Sequence, residues 1–399
     1  MIALDDLRRS PNALAPHYSR FGVADRLLLS GHSHQAWPDV AREGQLEAFD
    51  DAARHADEKW ALAFAKADRV RDGFRALLDD PAAEIALGVN THELVVRFLS
   101  SLDLRRRPRL VTTDGEFHTL RRQLDRAAEA GLEVVRVAAA PADTLGQRLA
   151  AAIDDRTAAV LASAVLFETG GVVGDLRAAA QGAARHGAEL LVDVYHALGP
   201  VPFSIRDEGL EQAWIVGGGY KYLQLGEGNC FLRVPAHAGA LRPAVTGWYA
   251  EFGALAERRA GERVAYGRGA QRFAGATYDP TSHYRGARVL RFFAEQQMTP
   301  ALLRDSYRHQ VARLAHGFDA LDLPAAVVSR DRSTPPGRIG GFLALRSAHA
   351  GTLRDALARR GVLTDSRGEF LRLGPAPYLS DAQLDAAIGA LGDAVASLG

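Results

Sequence analysis

Short apolar runs alternate with amphipathic segments between residues 109 and 193, and this alternation is the feature that most constrains the fold. The apolar runs stop at glycine or charged residues, which predicts buried strands, and the segments between them have helical spacing. Strands that alternate with helices over short connections form right-handed βαβ units around a mainly parallel sheet. The predicted strands are Arg109–Thr113, Glu133–Val137, Ala158–Val165 and Glu189–Asp193, and the predicted helices are Glu116–Ala130, Thr144–Ile153 and Asp175–Gly187.

The residues that precede this region are predicted to be helical. Apolar residues recur at helical spacing over residues 40–78, which predicts one helix with Trp60, Phe64 and Phe74 on its buried face. A shorter helix is predicted for Glu93–Leu102.

The residues after the alternating region have a different sequence pattern, which indicates a second structural unit. Phe231–Val234 predicts one further strand of the sheet, whose direction the sequence leaves open. The stretch Thr246–Tyr284 is rich in glycine and aromatic residues, which predicts an ordered loop over a crevice. A long helix is predicted after Pro300. The elements predicted in the tail are strands Gly341–Leu345 and Phe370–Leu373, helix Thr352–Arg360, and a final helix capped by Ser380 or Asp381.

Chain length predicts two domains. A chain of 399 residues exceeds what one hydrophobic core usually supports. We predict a large α/β domain with a mainly parallel seven-stranded sheet at residues 40–285. A smaller α+β domain is predicted from residues 1–39 and 286–399.

Charge and composition narrow the classes of partner. Lysine plus arginine and aspartate plus glutamate both number 48, so neither nucleic acid nor a charged membrane surface is an expected partner. No apolar run approaches the ~20 residues of a membrane helix, and no signal peptide is evident. The single cysteine, Cys230, excludes an intramolecular disulfide and fits a reducing compartment. We therefore predict a cytoplasmic protein that binds a small molecule.

Two predicted strands end beside polar groups with complementary chemistry. Asp193 ends one strand and His196 follows three residues later, while the run Ala213–Val216 ends in three glycines followed by Tyr220 and Lys221. Open α/β sheets bind ligands beyond the carboxyl ends of their strands, so these groups are expected in one crevice. A lysine for a Schiff base and an aspartate for a pyridinium nitrogen are what pyridoxal 5'-phosphate (PLP) needs. The pattern predicts a PLP site.

These residues have other interpretations. A nucleotide P-loop also places glycines before a lysine, but GxxxxGK[ST] is not matched, since Tyr222 stands where Ser or Thr is required. The Rossmann pattern GxGxxG is absent as well. Asp193 could instead cap a turn, and Lys221 could be a surface residue after a glycine turn.

Three other stretches supply candidate binding groups. Gly88, just before a helix start at Asn90, could form an anion cradle, because helix N-termini offer unpaired N–H groups. His34 belongs to the polar stretch 30–38, which we interpret as a pocket-lining loop because no third metal ligand is apparent nearby. Arg372 is a charge within an apolar strand; it could grip a substrate carboxylate in bidentate fashion or lie at a solvated edge.

Taken together, these motifs resemble class V, fold-type I PLP enzymes, and within that class kynureninase. The D-x-x-H of Asp193–His196, the run Tyr220–Leu223 and the Gly-Trp pair at 247–248 match the kynureninase pattern in order and approximate spacing. The run Arg372–Tyr378 is similar to the segment that holds the substrate carboxylate in that family. The similarity extends from Gly31 to the last helix.

The resemblance implies the fold-type I architecture and a set of cofactor contacts. Lys221 would form the Schiff base, Asp193 would pair with the pyridine nitrogen, and Tyr220 would act beside them in catalysis. Phe117 would stack on the pyridine ring. The other expected cofactor contacts are Leu87, Gly88, Ser163, His196, Trp248 and Thr277.

The resemblance also implies how a substrate and a second subunit are bound. Arg372 would hold the carboxylate of an amino-acid substrate, and His34 and His55 are further candidate substrate contacts. Trp248 and Thr277 would reach the cofactor phosphate from the other subunit of a homodimer, so that the active site would lie at the subunit interface.

The chain departs from the kynureninase pattern at several positions. Gly88 stands where the phosphate cup usually has Thr, so a hydroxyl contact is lost. His118–Leu120 replaces Pro-Ser-Asp after the stacking aromatic residue, residues 249–251 lack the His that follows Gly-Trp, and Thr277 replaces an Asn. These changes fall on the side where the aryl group of the substrate would lie.

The predicted function is that of a PLP enzyme acting on an α-amino acid, with kynureninase-like hydrolysis of a Cβ–Cγ bond. Lys221 would also shuttle the α-proton as general base. Transamination, β-elimination and epimerisation stay open, as does a non-enzymatic fold-type I sensor or scaffold. Cysteine desulfuration is disfavoured, because Cys230 opens a predicted strand instead of lying on a mobile loop.

Overall fold

The strands of the computed structural model, which describes residues 2–255 and 263–398, form one large sheet and two smaller ones. The strands, in chain order, are β1 (Leu27–Leu28), β2 (Glu84–Gly88), β3 (Arg109–Thr113), β4 (Glu133–Val137), β5 (Thr157–Ser163), β6 (Glu189–Asp193), β7 (Trp214–Gly218), β8 (Cys230–Val234), β9 (Leu343–Arg346), β10 (Val362–Leu363), β11 (Asp365–Arg367) and β12 (Phe370–Leu373).

The large sheet has seven strands in the order β2-β8-β7-β6-β5-β3-β4. β8 runs antiparallel to both of its neighbours, and the other strands run in one direction. The prediction of a mainly parallel seven-stranded α/β sheet is confirmed. The strand whose direction the sequence left undecided, β8, is antiparallel.

Helices cover both faces of the large sheet. The helices, in chain order, are α1 (Leu4–Arg8), α2 (Val40–His55), α3 (Lys59–Leu77), α4 (Thr91–Leu99), α5 (His118–Glu129), α6 (Leu145–Ala151), α7 (Leu176–His186), α8 (Thr281–Glu295), α9 (Pro300–Ala320), α10 (Ala350–Arg359) and α11 (Asp381–Ala396). Successive residues of a strand point to opposite faces. Along β5, Val160 joins the core that includes α6 and α7, whereas Leu161 joins the core that includes α4 and α5.

The predicted single helix over residues 40–78 is wrong, because the structure breaks it into α2 and α3. Ala56 lies between them at φ 46° and ψ −110°, outside the helical region, and a short 3-10 turn follows at Ala56–Glu58. The residues that α3 buries also differ from those predicted. The fully buried residues of α3 include Val70 and Phe74, whereas Trp60 and Phe64 are only half-buried.

The predicted loop Thr246–Tyr284 contains more regular structure than its composition indicates. Short 3-10 turns lie at Trp248–Ala254 and Gly269–Phe273, and residues 256–262 of the predicted loop lie outside the described residues. α8 begins at its end and was not predicted. α8 packs on α2 and α3 and buries Tyr284, Val289 and Phe292.

The C-terminal residues form a smaller α+β layer. β11, β12 and β9 make an antiparallel sheet beside α10, and β1 from the N-terminal segment pairs in parallel with β10. Ser380 caps α11 as predicted, since its Oγ atom accepts a hydrogen bond from the backbone of Gln383 at 3.4 Å. The domain bounds stay a prediction, and α8 spans the predicted boundary at residue 285.

Within residues 2–255 and 263–398, no helix combines the length and apolarity needed to cross a membrane.

Candidate active site

The carboxyl ends of β2, β3, β5, β6 and β7 meet at one edge of the large sheet, where a cavity of about 280 Å³ lies. Ser163 and Asp193 end β5 and β6 and stand opposite each other in the register. Lys221 follows the glycines at the end of β7. All three residues line the cavity together with His196 and Tyr220. The structure therefore brings the predicted polar groups together.

Small residues at the end of β7 make room for this arrangement. A Cβ atom on Gly218 would clash with the phenol of Tyr195 and would lie 2.7 Å from the Sγ atom of Cys230. A Cβ atom on Gly219 would lie 2.5 Å from the side chain of Leu225. The turn that carries the chain from β7 to the cavity therefore requires glycine at both positions.

The amine of Lys221 is buried and hydrogen-bonded. Lys221 is 6% exposed, and its Nζ atom donates to Nε2 of His196 at 2.7 Å. Burial lowers the pKa of Lys221 to about 7, although the charge of Asp193 acts in the opposite direction. Burial and the charge of Lys221 lower the pKa of His196 well below its ordinary value. A large share of the amine is therefore neutral near neutral pH, which is the form that attacks a carbonyl carbon.

Aromatic rings surround this amine. The ring centroids of Tyr195, Phe117 and Tyr220 lie 4.8, 5.3 and 5.7 Å from Nζ of Lys221. His34 stacks on Tyr220 with a centroid distance of 5.0 Å. These rings offer flat faces to a planar ligand and strengthen electrostatic interactions by excluding water.

The carboxylate of Asp193 lies on the cavity wall. Its Oδ1 atom accepts a hydrogen bond from the backbone N–H of Tyr195 at 2.8 Å. Burial raises the pKa of Asp193, while the Tyr195 N–H and the charge of Lys221 act in the opposite direction. Asp193 thus has both the position and the chemistry to face a cationic ring nitrogen.

A second buried carboxyl group, Glu116, was not predicted as a site residue. It accepts hydrogen bonds from the hydroxyls of Thr113 and Ser163, both at 2.6 Å, and from the backbone N–H of Ser163 at 3.1 Å. Burial raises the pKa of Glu116 to about 7 against these three bonds. Because Ser163 donates its proton to Glu116, its oxygen can only accept further hydrogen bonds. The sequence signal for Glu116 was its place three residues after the end of β3, beyond Asp114 and Gly115.

The N-terminus of α4 forms another part of the cavity wall. Asn90 caps this helix by accepting a hydrogen bond from the backbone of Glu93 at 2.9 Å, and residues Val89 to His92 line the cavity. The first N–H groups of a helix and the helix dipole together favour an anion. This end of the cavity can therefore hold a phosphate group.

Leu87 and Gly88 are not among the residues that line this cavity, and their contact with the cofactor stays a prediction. Both residues still belong to β2 and line a neighbouring cavity of about 930 Å³. Leu94 occupies the space beside Gly88 that a side chain would need. A Cβ atom on Gly88 would lie 2.9 Å from the Cδ2 atom of Leu94. Neither Asp193 nor Lys221 lines the larger cavity, so we place the chemistry in the smaller one.

Arg372 is buried in β12 and already bound to a carboxylate. Its Nε and Nη2 atoms donate to the two oxygens of Asp365 at 2.9 and 2.5 Å, and Nη1 donates to the carbonyl of Phe167 at 2.5 Å. Burial alone would raise the pKa of Asp365, but the bonds from His32 and Arg372 hold it well below its ordinary value. Asp365 was missed in the sequence, although it is the register partner of Arg372 on β11.

The remaining predicted residues, like Arg372 and His34, are not among the residues that line this cavity. His55 is the exposed last residue of α2 and lines neither of the two cavities, so its predicted substrate contact has no support in the structure. Trp248 is 44% exposed, and its Nε1 atom donates to Oγ1 of Thr277 at 3.3 Å. Thr277 lines the larger cavity. These two residues are therefore neighbours, and their contact with the cofactor phosphate of another subunit stays a prediction.

Comparison with solved structures defines the fold class of the chain. The structure of C-DES with glycine covalently linked to its PLP cofactor aligns with a TM-score of 0.80 at 17% identity, over 95% of this chain and 98% of that chain. The apo cysteine desulfurase of Thermococcus onnurineus NA1 aligns with a TM-score of 0.79 at 16% identity, over 98% and 99% of the two chains. The chain has the α/β architecture of fold-type I PLP enzymes, as predicted.

Comparison of the amino-acid sequence with those of known proteins finds relatives that are similar over most of the chain. No protein-family model matches the chain. It is 24% identical to the uncharacterised aminotransferase YcbU of Bacillus subtilis over 86% of this chain and 88% of that protein. It is 28% identical to a kynureninase of Burkholderia mallei over 94% of this chain and 90% of that protein. The chain is thus similar over most of its length to proteins named as aminotransferase and as kynureninase.

Proposed function

We propose that this chain is a PLP-dependent enzyme acting on an α-amino acid, with Lys221 as the residue that binds the cofactor covalently. The observation that carries the proposal is the buried amine of Lys221, with its lowered pKa, in one cavity with the carboxylate of Asp193. The cavity suits each part of PLP. Lys221 fits the aldehyde, Asp193 the pyridine nitrogen, Phe117 the ring face, and the N-terminus of α4 the phosphate.

Different residues of the chain bind the substrate, transfer the proton and position the amine around the cofactor. When bound, PLP supplies an electron sink for charge that develops at the substrate α-carbon. Arg372 binds the substrate carboxylate and so orients the bond that breaks. Lys221 takes the α-proton as general base, since its pKa lies near neutral pH. His196 accepts the hydrogen bond that holds the amine in place.

Trapping of the lysine–cofactor bond tests this proposal. The protein contains three lysines, Lys59, Lys66 and Lys221, so the labelled residue can be assigned by mass spectrometry after borohydride reduction. We expect the cofactor mass on Lys221 alone. We also expect a near-visible absorbance band that is lost in Lys221→Ala and kept in the control Lys66→Ala. A label on either other lysine, or a band that survives Lys221→Ala, would refute the assignment.

For the reaction we propose kynureninase-like hydrolysis. Water adds to the γ-carbonyl carbon and the Cβ–Cγ bond breaks, so that kynurenine and water yield anthranilate and alanine. The similarity to the Burkholderia mallei kynureninase over 94% of the chain and the run Arg372–Tyr378 support this reaction. Fluorescence detection of anthranilate after incubation with kynurenine or 3-hydroxykynurenine measures it. If kynurenine yields no anthranilate and leaves the cofactor spectrum unchanged, hydrolysis is excluded while cofactor binding stands.

A second candidate reaction is amino-group transfer or another class V outcome. The similarity to the Bacillus subtilis aminotransferase favours transfer, and so does the loss of kynureninase motif residues at His118–Leu120 and Thr277. A panel of amino acids with and without a 2-oxo acid separates transfer from β-elimination and epimerisation. Cofactor binding without turnover of any panel member would favour a sensor or scaffold.

We also propose a cytoplasmic homodimer with shared active sites. Trp248, which bonds to Thr277, and Phe252 and Leu255, which follow it in the chain, expose 44, 43 and 48% of their surface. Exposed apolar patches of this kind mark interaction sites. Sedimentation should show a dimer. Mixing Lys221→Ala chains with Thr277→Val chains should restore cofactor affinity in one site of each mixed dimer. If the two variants mix without any recovery, each site is complete within one chain.

A further inference from the structure

His32 is a fully buried histidine that no proposed reaction step uses. It is 0% exposed and comes from the N-terminal segment, two residues after the bridge between Ser30 and Gly374. Its Nε2 atom lies 2.7 Å from Oδ1 of Asp365. Burial lowers the pKa of His32 to about 4, against the effect of Asp365. The ring is therefore neutral near neutral pH and, facing an ionised carboxylate, must carry its proton on Nε2.

The surroundings of His32 hold the ring in one place. A Cβ atom on Gly374 would clash with the imidazole, so the ring fills the space that a side chain there would need. Phe342 lies on the ring with a centroid distance of 4.8 Å and an interplanar angle of 33°. Within the described residues, Nδ1 of His32 is buried without a hydrogen-bond partner. Among the described residues, the contact with Asp365 is thus the polar side-chain interaction of this buried ring.

Asp365 connects His32 to Arg372. The carboxylate receives the His32 N–H on Oδ1 and the Nε and Nη2 groups of Arg372 on its two oxygens. Its side chain is only 15% exposed, so water competes weakly for these bonds. A carboxylate held from two sides fixes the plane of the guanidinium. With Nη1 bonded to the Phe167 carbonyl, one N–H on Nη1 and one on Nη2 remain for a ligand.

We propose that His32 is a positioning residue for substrate carboxylate binding, acting through Asp365 to fix Arg372 so that its terminal N–H groups face the ligand. This inference rests on the proposed function, because it requires Arg372 to bind an amino-acid carboxylate. His32 touches neither the substrate nor the cofactor. Without its N–H, Asp365 can rotate, the Arg372 plane loses its anchor, and the bidentate geometry that a carboxylate needs is populated less often.

Carboxylate selectivity distinguishes this role from a merely structural one. The probes are L-alanine and L-alaninamide, which share the amine and the methyl group and differ in the carboxylate. Dissociation constants are measured from the absorbance change of the cofactor-loaded protein. His32→Leu fills the site without an N–H donor, and His32→Gln restores a donor. His309→Leu is the matched control, because His309 makes an equivalent 2.7 Å contact with Asp381 away from the site.

We expect His32→Leu to weaken L-alanine binding about tenfold, the size of one charge-assisted hydrogen bond, and to leave L-alaninamide binding unchanged. His32→Gln should recover most of the loss, and His309→Leu should bind both probes as the unmodified protein does. Arg372→Gln should abolish the preference for L-alanine. Comparable melting temperatures of the Leu and Gln variants show that both are folded.

Three results would overturn the inference. An equal loss for both probes in His32→Leu would show a general structural role, and no loss for either would show no role. The absence of a preference for L-alanine in the unmodified protein would show that Arg372 does not bind the carboxylate. A protein without cofactor absorbance would instead refute the proposed function itself, whereas a normal cofactor band with unchanged selectivity refutes only the role of His32.

Discussion

The buried carboxyl of Glu116 makes stability depend on pH in a way that one substitution can isolate. Burial raises its pKa in the folded protein from the ordinary 4.5 to about 7. The folded state therefore binds the proton more tightly than the unfolded state. The stability that protonation contributes is fully present below pH 4.5 and is lost as the pH rises to about 7. A shift of this size corresponds to about 3 kcal/mol.

Glu116→Gln removes the titration and keeps a side chain that can accept from Thr113 and donate to Ser163. The free energy of unfolding of the variant, relative to the unmodified protein, should therefore improve by about 3 kcal/mol between about pH 4.5 and about pH 7.5. Urea unfolding at several pH values, followed by tryptophan fluorescence, to which the buried Trp214 contributes, measures this difference. Glu129→Gln, at an exposed position of α5, is the control. A difference that does not change with pH would refute the raised pKa of Glu116.

Two further substitutions test the packing that supports the site. Arg233→Ala should destabilise the protein by about 3–5 kcal/mol in urea unfolding, because it leaves Asp80 without the guanidinium that donates to it at 2.9 and 3.1 Å. A loss below about 1 kcal/mol would show that water screens this pair. Gly218→Ala should displace the phenol of Tyr195 and reduce borohydride-trapped cofactor on Lys221, while Gly239→Ala, with open space at its Cβ, should not. Equal trapping in both variants would contradict the tight packing at the end of β7.

The central sheet could be predicted because its strands have a local signal that tertiary structure does not override. β6 is an apolar run with a charged residue at its end, and its bounds match the prediction. Its neighbours are parallel, so their carboxyl ends share one edge. For that reason Asp193 and Lys221 could be placed near each other from the sequence, whereas Ser163 was expected there only from the resemblance to kynureninase. The helix start at Asn90 was likewise visible, because an Asn cap depends on local sequence.

The errors come from interactions that the local sequence does not contain. Helical spacing continues through Ala56, and only the backbone angles of that residue separate α2 from α3. The beginning of α8 lies in a stretch whose glycines and aromatic residues resemble a loop, yet packing against α2 and α3 stabilises it as a helix. Asp365 could not be predicted as a site residue because it belongs to a strand of three residues. Its link to the site follows only from its register opposite Arg372.

The pairing of Asp365 with Arg372 also bears on the amine of Lys221. Arg372 lowers the pKa of Lys221 and Asp365 raises it, so the two charges act against each other at Nζ. Burial is thereby left as the main cause of the lowered pKa, and Asp193 as the main charge opposing it. If Asp365 were neutralised, the unpaired guanidinium would lower the pKa of Lys221 further and would raise the share of neutral amine. One carboxylate on β11 thus bonds to the group proposed to bind the substrate and also contributes to the charge state of the proposed nucleophile.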